Sequence, residues 1–481
     1  MLALVGLAGC AVGPDFENPT LPASIGYREA SLPAQFAAGG SGETQQVVLG
    51  RDIPGDWWTV FGSSELSVLI ESALAASPDL EAAKAALTQA QENAFAADAG
   101  VFPSVQLKGG ANRVGFSAES IGQDYTEVFT LSTGQLNISY PLDIIGGTRR
   151  QVEAAVAQAD YQRFQLEAAY VTLGTNIVVT AIQEASLRAQ IEASEAIVAT
   201  GRRLLALVER QHALGSVALA DVLAQRSAVA RSEANLPALR QNLERQRNML
   251  RALAGRFPSD PLEAQFAFED LTLPGELPVS LPSALVEQRP DVRSAEAQLH
   301  SATAEVGISI ANMLPQISLS GSYGRIGTEN ILSSGGVAIW DYGVSLTQPI
   351  FQGGKLLHQK RAAEAGLATA AARHKSVVLG AFRDVADALQ ALQSDAETVA
   401  AQRTVERAAS ESLAIAEGQY RSGSASFLTL LNAQNTYEQA KIGRVQAEAN
   451  RFVSTAALYQ ALGGGWWNRQ QADPDDQEAT S

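Results

Sequence analysis

The chain has 481 residues, enough for about three ordinary domains or one large extended architecture, with 35 Lys and Arg against 51 Asp and Glu and a formal net charge of −16. That balance excludes a nucleic-acid binder, which needs a basic face to neutralise phosphates; it suits a solubilising surface or a lumen that attracts cations. A hydrophobic content of 46% excludes wholesale disorder, and a single cysteine excludes an intrachain disulfide and a thiolate-rich metal site.

The N-terminus carries the first chemical signal. Leu2–Val12 is apolar but too short to cross a bilayer as a helix, and it runs through Leu7-Ala8-Gly9-Cys10, small residues set just before the one cysteine. The segment resembles a bacterial lipoprotein signal, in which residues 1–9 are removed and Cys10 becomes the acylated first residue. No Lys or Arg precedes the apolar run, so the true start codon is expected upstream. Ala11, rather than Asp, after the cysteine implies by the same resemblance delivery to the outer membrane. No stretch reaches 18 consecutive apolar residues, so the protein is expected either to sit on a membrane or to cross it as a β-barrel.

Further along, the sequence repeats itself. Ser77-Pro78-Asp79-Leu80 returns as Arg289-Pro290-Asp291-Val292, and Val101–Val105 returns approximately as Asn312–Ile317. Tyr140-Pro141-Leu142 returns as Gln348-Pro349-Ile350, and Leu214-Gly215-Ser216 as Ser422-Gly423-Ser424. Pro290 and Pro315 lie 212 residues beyond Pro78 and Pro103, while Pro349 and Gly423 lie 208 beyond Pro141 and Gly215. Four anchors at nearly one offset define two copies of a single unit. The organisation predicted is an arm over 10–62, a first repeat over 63–255 with strands near 103–116 and 128–141, and a Pro-rich linker over 256–282. A second repeat covers 283–462 with strands near 315–326 and 337–349, and a tail covers 463–481.

Each unit reads as helix, strand, strand, very long helix, helix. Thr148–His212 contains no proline, and a helix of that extent would be roughly 95 Å long at 1.5 Å per residue. The matching stretch shows a heptad seam at Val378, Phe382, Val385, Leu389, Leu392, Ala396 and Val399; the first copy repeats it with smaller residues at Val171, Thr175, Val178, Ile182, Ala185 and Ala189. The strands alternate: Ile317, Leu319 and Tyr323 with Ser318, Ser320 and Ser322, and Trp340, Tyr342, Val344 and Leu346 with Asp341, Gly343, Ser345 and Thr347. Such a period fits a half-buried soluble sheet or a membrane barrel with a wet interior. Four strands cannot enclose a water-filled pore and eight are filled by their own side chains; three chains would supply twelve.

At this point the chain resembles the outer-membrane efflux (TolC) family, in its lipoprotein branch serving RND-type pumps. The likeness is carried by Cys10-Ala11-Val12-Gly13-Pro14-Asp15-Phe16 with Pro19, by Trp57-Trp58, Phe61, Leu66 and Leu69-Ile70 as a first helix, by Leu281-Pro282-Ser283 through Arg289-Pro290-Asp291-Val292, and by Leu458–Trp466. The resemblance implies an α+β membrane protein: a trimer with a twelve-stranded barrel continuous with a periplasmic α-helical coiled-coil tunnel. It further implies a passive exit duct for drugs or other small molecules, supplied by an inner-membrane RND pump through a periplasmic adaptor. The turns at Gly215, Ser216, Gly423 and Ser424 match the family's adaptor-contacting tips, where glycine also ends a helix.

Tyr420, Thr429 and Asn432 match the family's periplasmic gate. Members often carry aspartates where this chain has Thr429 and Asn432, so the acidic constriction is transferred to Asp221, opposite Thr429 in the first repeat; a solvated helix-start aspartate is the plainer alternative. No enzyme is indicated. His212, His300, His358 and His374 show no metal-binding spacing, and Gly353-Gly354-Lys355 is no phosphate loop, with Pro349 and Leu356 at positions that require Gly and Ser/Thr. No cofactor is expected beyond the lipid on Cys10. A secretion-type duct, or a coiled-coil lipoprotein or adaptor without a pore, are the competing readings.

Overall fold

The computed structural model describes residues 11–19, 26–27, 33–36, 44–117, 126–328 and 335–469; Cys10 lies outside them. In chain order the elements are β1 (Gln35–Phe36), β2 (Gln45–Leu49), α1 (Ser64–Ala76), α2 (Pro78–Asp98), β3 (Ser104–Ser117), β4 (Thr126–Leu142), α3 (Gly147–Ala213) and α4 (Leu219–Leu253). There follow β5 (Glu276–Val279), α5 (Pro282–Gln288), α6 (Pro290–Ala311), β6 (Gln316–Gly327), β7 (Val337–Thr347), α7 (Lys355–Arg421) and α8 (Phe427–Ala461). The duplication is dimensional as well as sequential. Helices α3 and α7 are both 67 residues long and α4 and α8 both 35, each pair separated by 208 positions.

The chain forms two compact units. One comprises Met1–Pro19, Ala85–Arg163 and Ser294–Lys375 and contains a four-stranded antiparallel sheet of order β3-β4-β6-β7. Pro103 and Pro315 stand immediately before β3 and β6, where no ladder donor is needed. Strand β7 stops at Thr347, two residues short of Pro349, whereas β4 runs through Pro141, which is paired with Ser318 one residue before the strand ends.

The other unit comprises Thr20–Lys84, Phe164–Arg293 and Ser376–Ser481 and holds most of both coiled-coil hairpins. The heptad seam is its core: Val178 and Ile182 of α3 and Val385, Leu389 and Leu392 of α7 are fully buried. Within this unit the buried carboxylate of Glu184 receives Arg188 at 2.7 Å and Arg247 at 2.8 Å, and Arg247 also donates to the Leu262 carbonyl at 2.9 Å, tying the linker to α3 and α4. Arg289 donates to Asp291, to Asp384 and to the carbonyl of Ala461. Arg289, where the first repeat has Ser77, thereby bolts the start of α6 to the end of α8.

Two features depart from the sequence reading. Trp57–Phe61 is a separate 3₁₀ turn ending at Gly62, and α1 begins only at Ser64, whose preceding Ser63 accepts from the Leu66 N–H. The aromatic cluster therefore does not share the first helix; it packs beneath it, Trp57 stacked on Tyr459 with ring centroids 5.3 Å apart. The arm and linker also hold strands the sequence reading did not place. β2 pairs antiparallel with β1 and parallel with β5 in a small three-stranded sheet.

Candidate functional site

The four-stranded sheet has two chemically distinct faces. Register puts Leu142, Ile317 and Leu346 at one level, then Tyr140, Leu319 and Val344, then Val105, Ile138 and Tyr342, then Leu107, Leu136, Tyr323 and Trp340. These form one apolar face, and it is exposed: Leu107 and Tyr342 are each 82% accessible. The opposite face carries Gln106, Asn137, Ser139, Ser318, Ser320, Ser322, Asp341 and Ser345. There Ser318 and Ser345 hydroxyls meet at 2.7 Å, and Ser322 donates to Asp341. One level beyond Trp340 the apolar face gives way to Gly109, Gly134 and Arg325. Strands β3 and β7 are the two edges of this sheet, each paired on one side only among the described residues. No helix of the described residues is long and apolar enough to cross a membrane.

In the other unit, both hairpins turn in the same way. Gly215 sits at φ +75° and donates to the His212 carbonyl, while Ser216 donates to Gln211; Gly423 sits at φ +77° and donates to Tyr420, while Ser424 donates to Gln419. This pairing of hydrogen bonds satisfies the last carbonyls of α3 and α7 through a left-handed residue that only glycine adopts cheaply. Gly215, Ser216, Gly423 and Ser424 are exposed, and a β-carbon on either glycine would meet nothing within 4 Å. Leu214, Leu219 and Leu428 beside them are 76%, 55% and 63% exposed, apolar surface that a soluble tip does not need.

The predicted gate residues separate into two groups. Tyr420 is buried in a cluster with Val208, Val222, Ala416, Phe427 and Leu430, and its hydroxyl donates to Gln211 Oε1 at 2.7 Å, joining the two hairpins. Burial, and secondarily the Asp221 charge, hold its phenol above the usual tyrosine range. Asp221 lies half-buried in the first turn of α4, where the helix dipole favours a carboxylate. Thr429 and Asn432 are exposed on α8; the Thr429 hydroxyl is 2.9 Å from that of Ser426, which caps the helix.

The structure adds a polar layer next to the Tyr420 cluster. Gln225 is fully buried and its Nε2 donates to the Gly201 carbonyl at 3.0 Å; Gln434 is 7% exposed and its Nε2 donates to Glu438 at 3.3 Å. Neither amide oxygen meets a donor among the described residues. A β-carbon on Gly201 would lie 3.5 Å from Gln434 Nε2 and 3.7 Å from Gln225 Nε2, so the three positions share one level. The signal was present in the sequence: Val222-Gln225-Val229 and Phe427-Leu430-Gln434 are heptad spacings with a polar residue at a core position. Among the described residues no three of His, Cys, Asp or Glu gather as a metal site.

The model of the outer membrane efflux protein family matches residues 69–256 and 281–464, and the chain belongs to that family, whose members are outer-membrane channels and not enzymes. The chain is similar to the pyoverdine export outer membrane protein OpmQ of Pseudomonas aeruginosa, 30% identical over 92% of this chain and 95% of that protein. It is similar also to nodulation protein T of Rhizobium leguminosarum bv. trifolii, 28% identical over 96% and 95% of the two chains. Among solved structures, the outer-membrane channel OprN superposes with a TM-score of 0.85 and 26% identity, covering 95% of this chain and 100% of that one.

Proposed function

We propose that three copies of this chain close a twelve-stranded outer-membrane barrel continuous with a periplasmic coiled-coil tunnel, and that the trimer is the passive exit duct of a tripartite RND-type efflux pump. The observation that carries this reading is the sheet: one face exposes apolar side chains at four successive levels, the other is lined by serines and amides, and both edge strands are paired on one side only among the described residues. A soluble sheet would bury the first face, and a lone four-stranded sheet would leave two adhesive edges.

In this reading the exposed leucines and glycine turns at Gly215–Ser216 and Gly423–Ser424 receive the periplasmic adaptor. Tyr420 and Asp221, with Thr429 and Asn432, form the constriction that loosens when the hairpins part. Acylation of Cys10 anchors the subunit at the outer membrane. The inner-membrane pump supplies the energy and selects the drugs or other small molecules, which then diffuse through the barrel to the exterior. The test is the native mass of full-length protein extracted from outer membranes in mild detergent, followed by conductance in a planar bilayer. A conducting trimer with a lipid adduct on each Cys10 is expected; a non-conducting monomer would overturn the reading.

A further inference from the structure

The segment following Cys10 is held by a built cradle. The Val12 N–H donates to the Ile145 carbonyl at 3.0 Å. Arg150, its side chain 4% exposed, donates from Nε to the Val12 carbonyl at 3.1 Å, from Nη2 to Asp15 Oδ1 at 2.6 Å and from Nη1 to Glu153 Oε2 at 2.6 Å. The other oxygen of Glu153 lies 2.9 Å from His300 Nε2, and the His300 ring stacks on Phe16 with centroids 4.4 Å apart and planes at 18°. Glycines admit the backbone: a β-carbon on Gly146 would stand 2.6 Å from Ala11 Cα, and one on Gly307 would stand 2.8 Å from the Val12 carbonyl oxygen. Gly13, at φ +99°, would likewise place a β-carbon 2.6 Å from Gly307 Cα.

A plain tether between a lipid and a folded body needs none of these contacts, since a linker keeps its backbone groups in water. Here a buried guanidinium takes two of its acceptors from the arm, and would lose both if the arm lifted away. The contacts also have a defined height. Ile145 and Gly146 stand three and four residues beyond Leu142, which with Ile317 and Leu346 forms the terminal level of the apolar face.

We propose that Gly146, Arg150, Glu153, His300 and Gly307 are a docking site for the arm Ala11–Phe16, and that docking fixes the acylated end at the rim of the sheet so that the lipid sets the depth at which the barrel assembles. The inference rests on the acylation of Cys10 proposed above. Two variants test it in cells: Arg150→Gln, which empties the cradle, and insertion of Ala-Gly-Ser-Gly between Cys10 and Ala11. The insertion keeps alanine after the cysteine and every docked residue intact while lengthening the connection.

For parent and variants, the Cys10 adduct is read by intact mass and assembled trimer by gel mobility of outer-membrane extracts. Both variants are expected to keep the lipid and to lose assembled trimer several-fold, with the arm protease-sensitive only in Arg150→Gln. Normal trimer yield in the lipid-bearing insertion variant would overturn the depth-setting role. A parent lacking any adduct would overturn the acylation reading, and this inference with it.

Discussion

Glu438 lies on α8 beside the buried glutamine layer, accepting from Gln434 and Ser232. Burial raises its carboxyl above the ordinary value of 4.5, and the two hydrogen bonds pull it only part of the way back. Because the folded state holds this proton more tightly than the unfolded chain, its contribution to stability is complete below pH 4.5 and is lost as pH rises through the elevated folded value. Thermal melting at a series of pH values should therefore show a loss of stability across that window. Glu438→Gln, neutral at every pH, should flatten that part of the profile; an unchanged profile would exclude Glu438 as its source.

At the scale of elements, the two hairpins are near-copies that differ at their caps. Ser426 caps α8 by accepting from the Thr429 N–H at 3.2 Å, whereas its counterpart 208 residues earlier, Ala218, offers α4 no side-chain acceptor. Ser426→Ala should cost about 1 kcal/mol and Ala218→Ser should return a similar amount. Denaturant midpoints followed by circular dichroism would measure both, and equal midpoints for all three proteins would contradict the capping argument.

The same elements show what could be read in advance. The α3 and α7 seams were legible because burial imposes a heptad on residue type, and the tips because glycine is needed at positive φ. The small β1-β2-β5 sheet was not, since strands of two to five residues carry too few alternations to stand out. The arm cradle is not legible in the sequence, because Arg150, Glu153 and His300 are unremarkable helix residues until the chain brings Val12 and Asp15 to them.

For the whole molecule, the decisive property is the apolar sheet face. Leu319 and Val344 are register partners on it, 37% and 71% exposed in the single chain. Replacing both with arginine should cost about 2–4 kcal/mol per site near the bilayer midplane and abolish trimer recovered from outer membranes. Normal recovery of that double variant would remove the barrel from the account and leave a coiled-coil lipoprotein.

A ring of three subunits would carry six tips of matched length but of two alternating sequences, Leu214-Gly215-Ser216-Val217 and Ser422-Gly423-Ser424-Ala425. Threefold symmetry would thus imitate sixfold symmetry in shape while breaking it in chemistry. A sixfold partner would find a foothold at every position yet be gripped with two distinct strengths, while a threefold partner could choose the leucine tips or the serine tips and ignore the others.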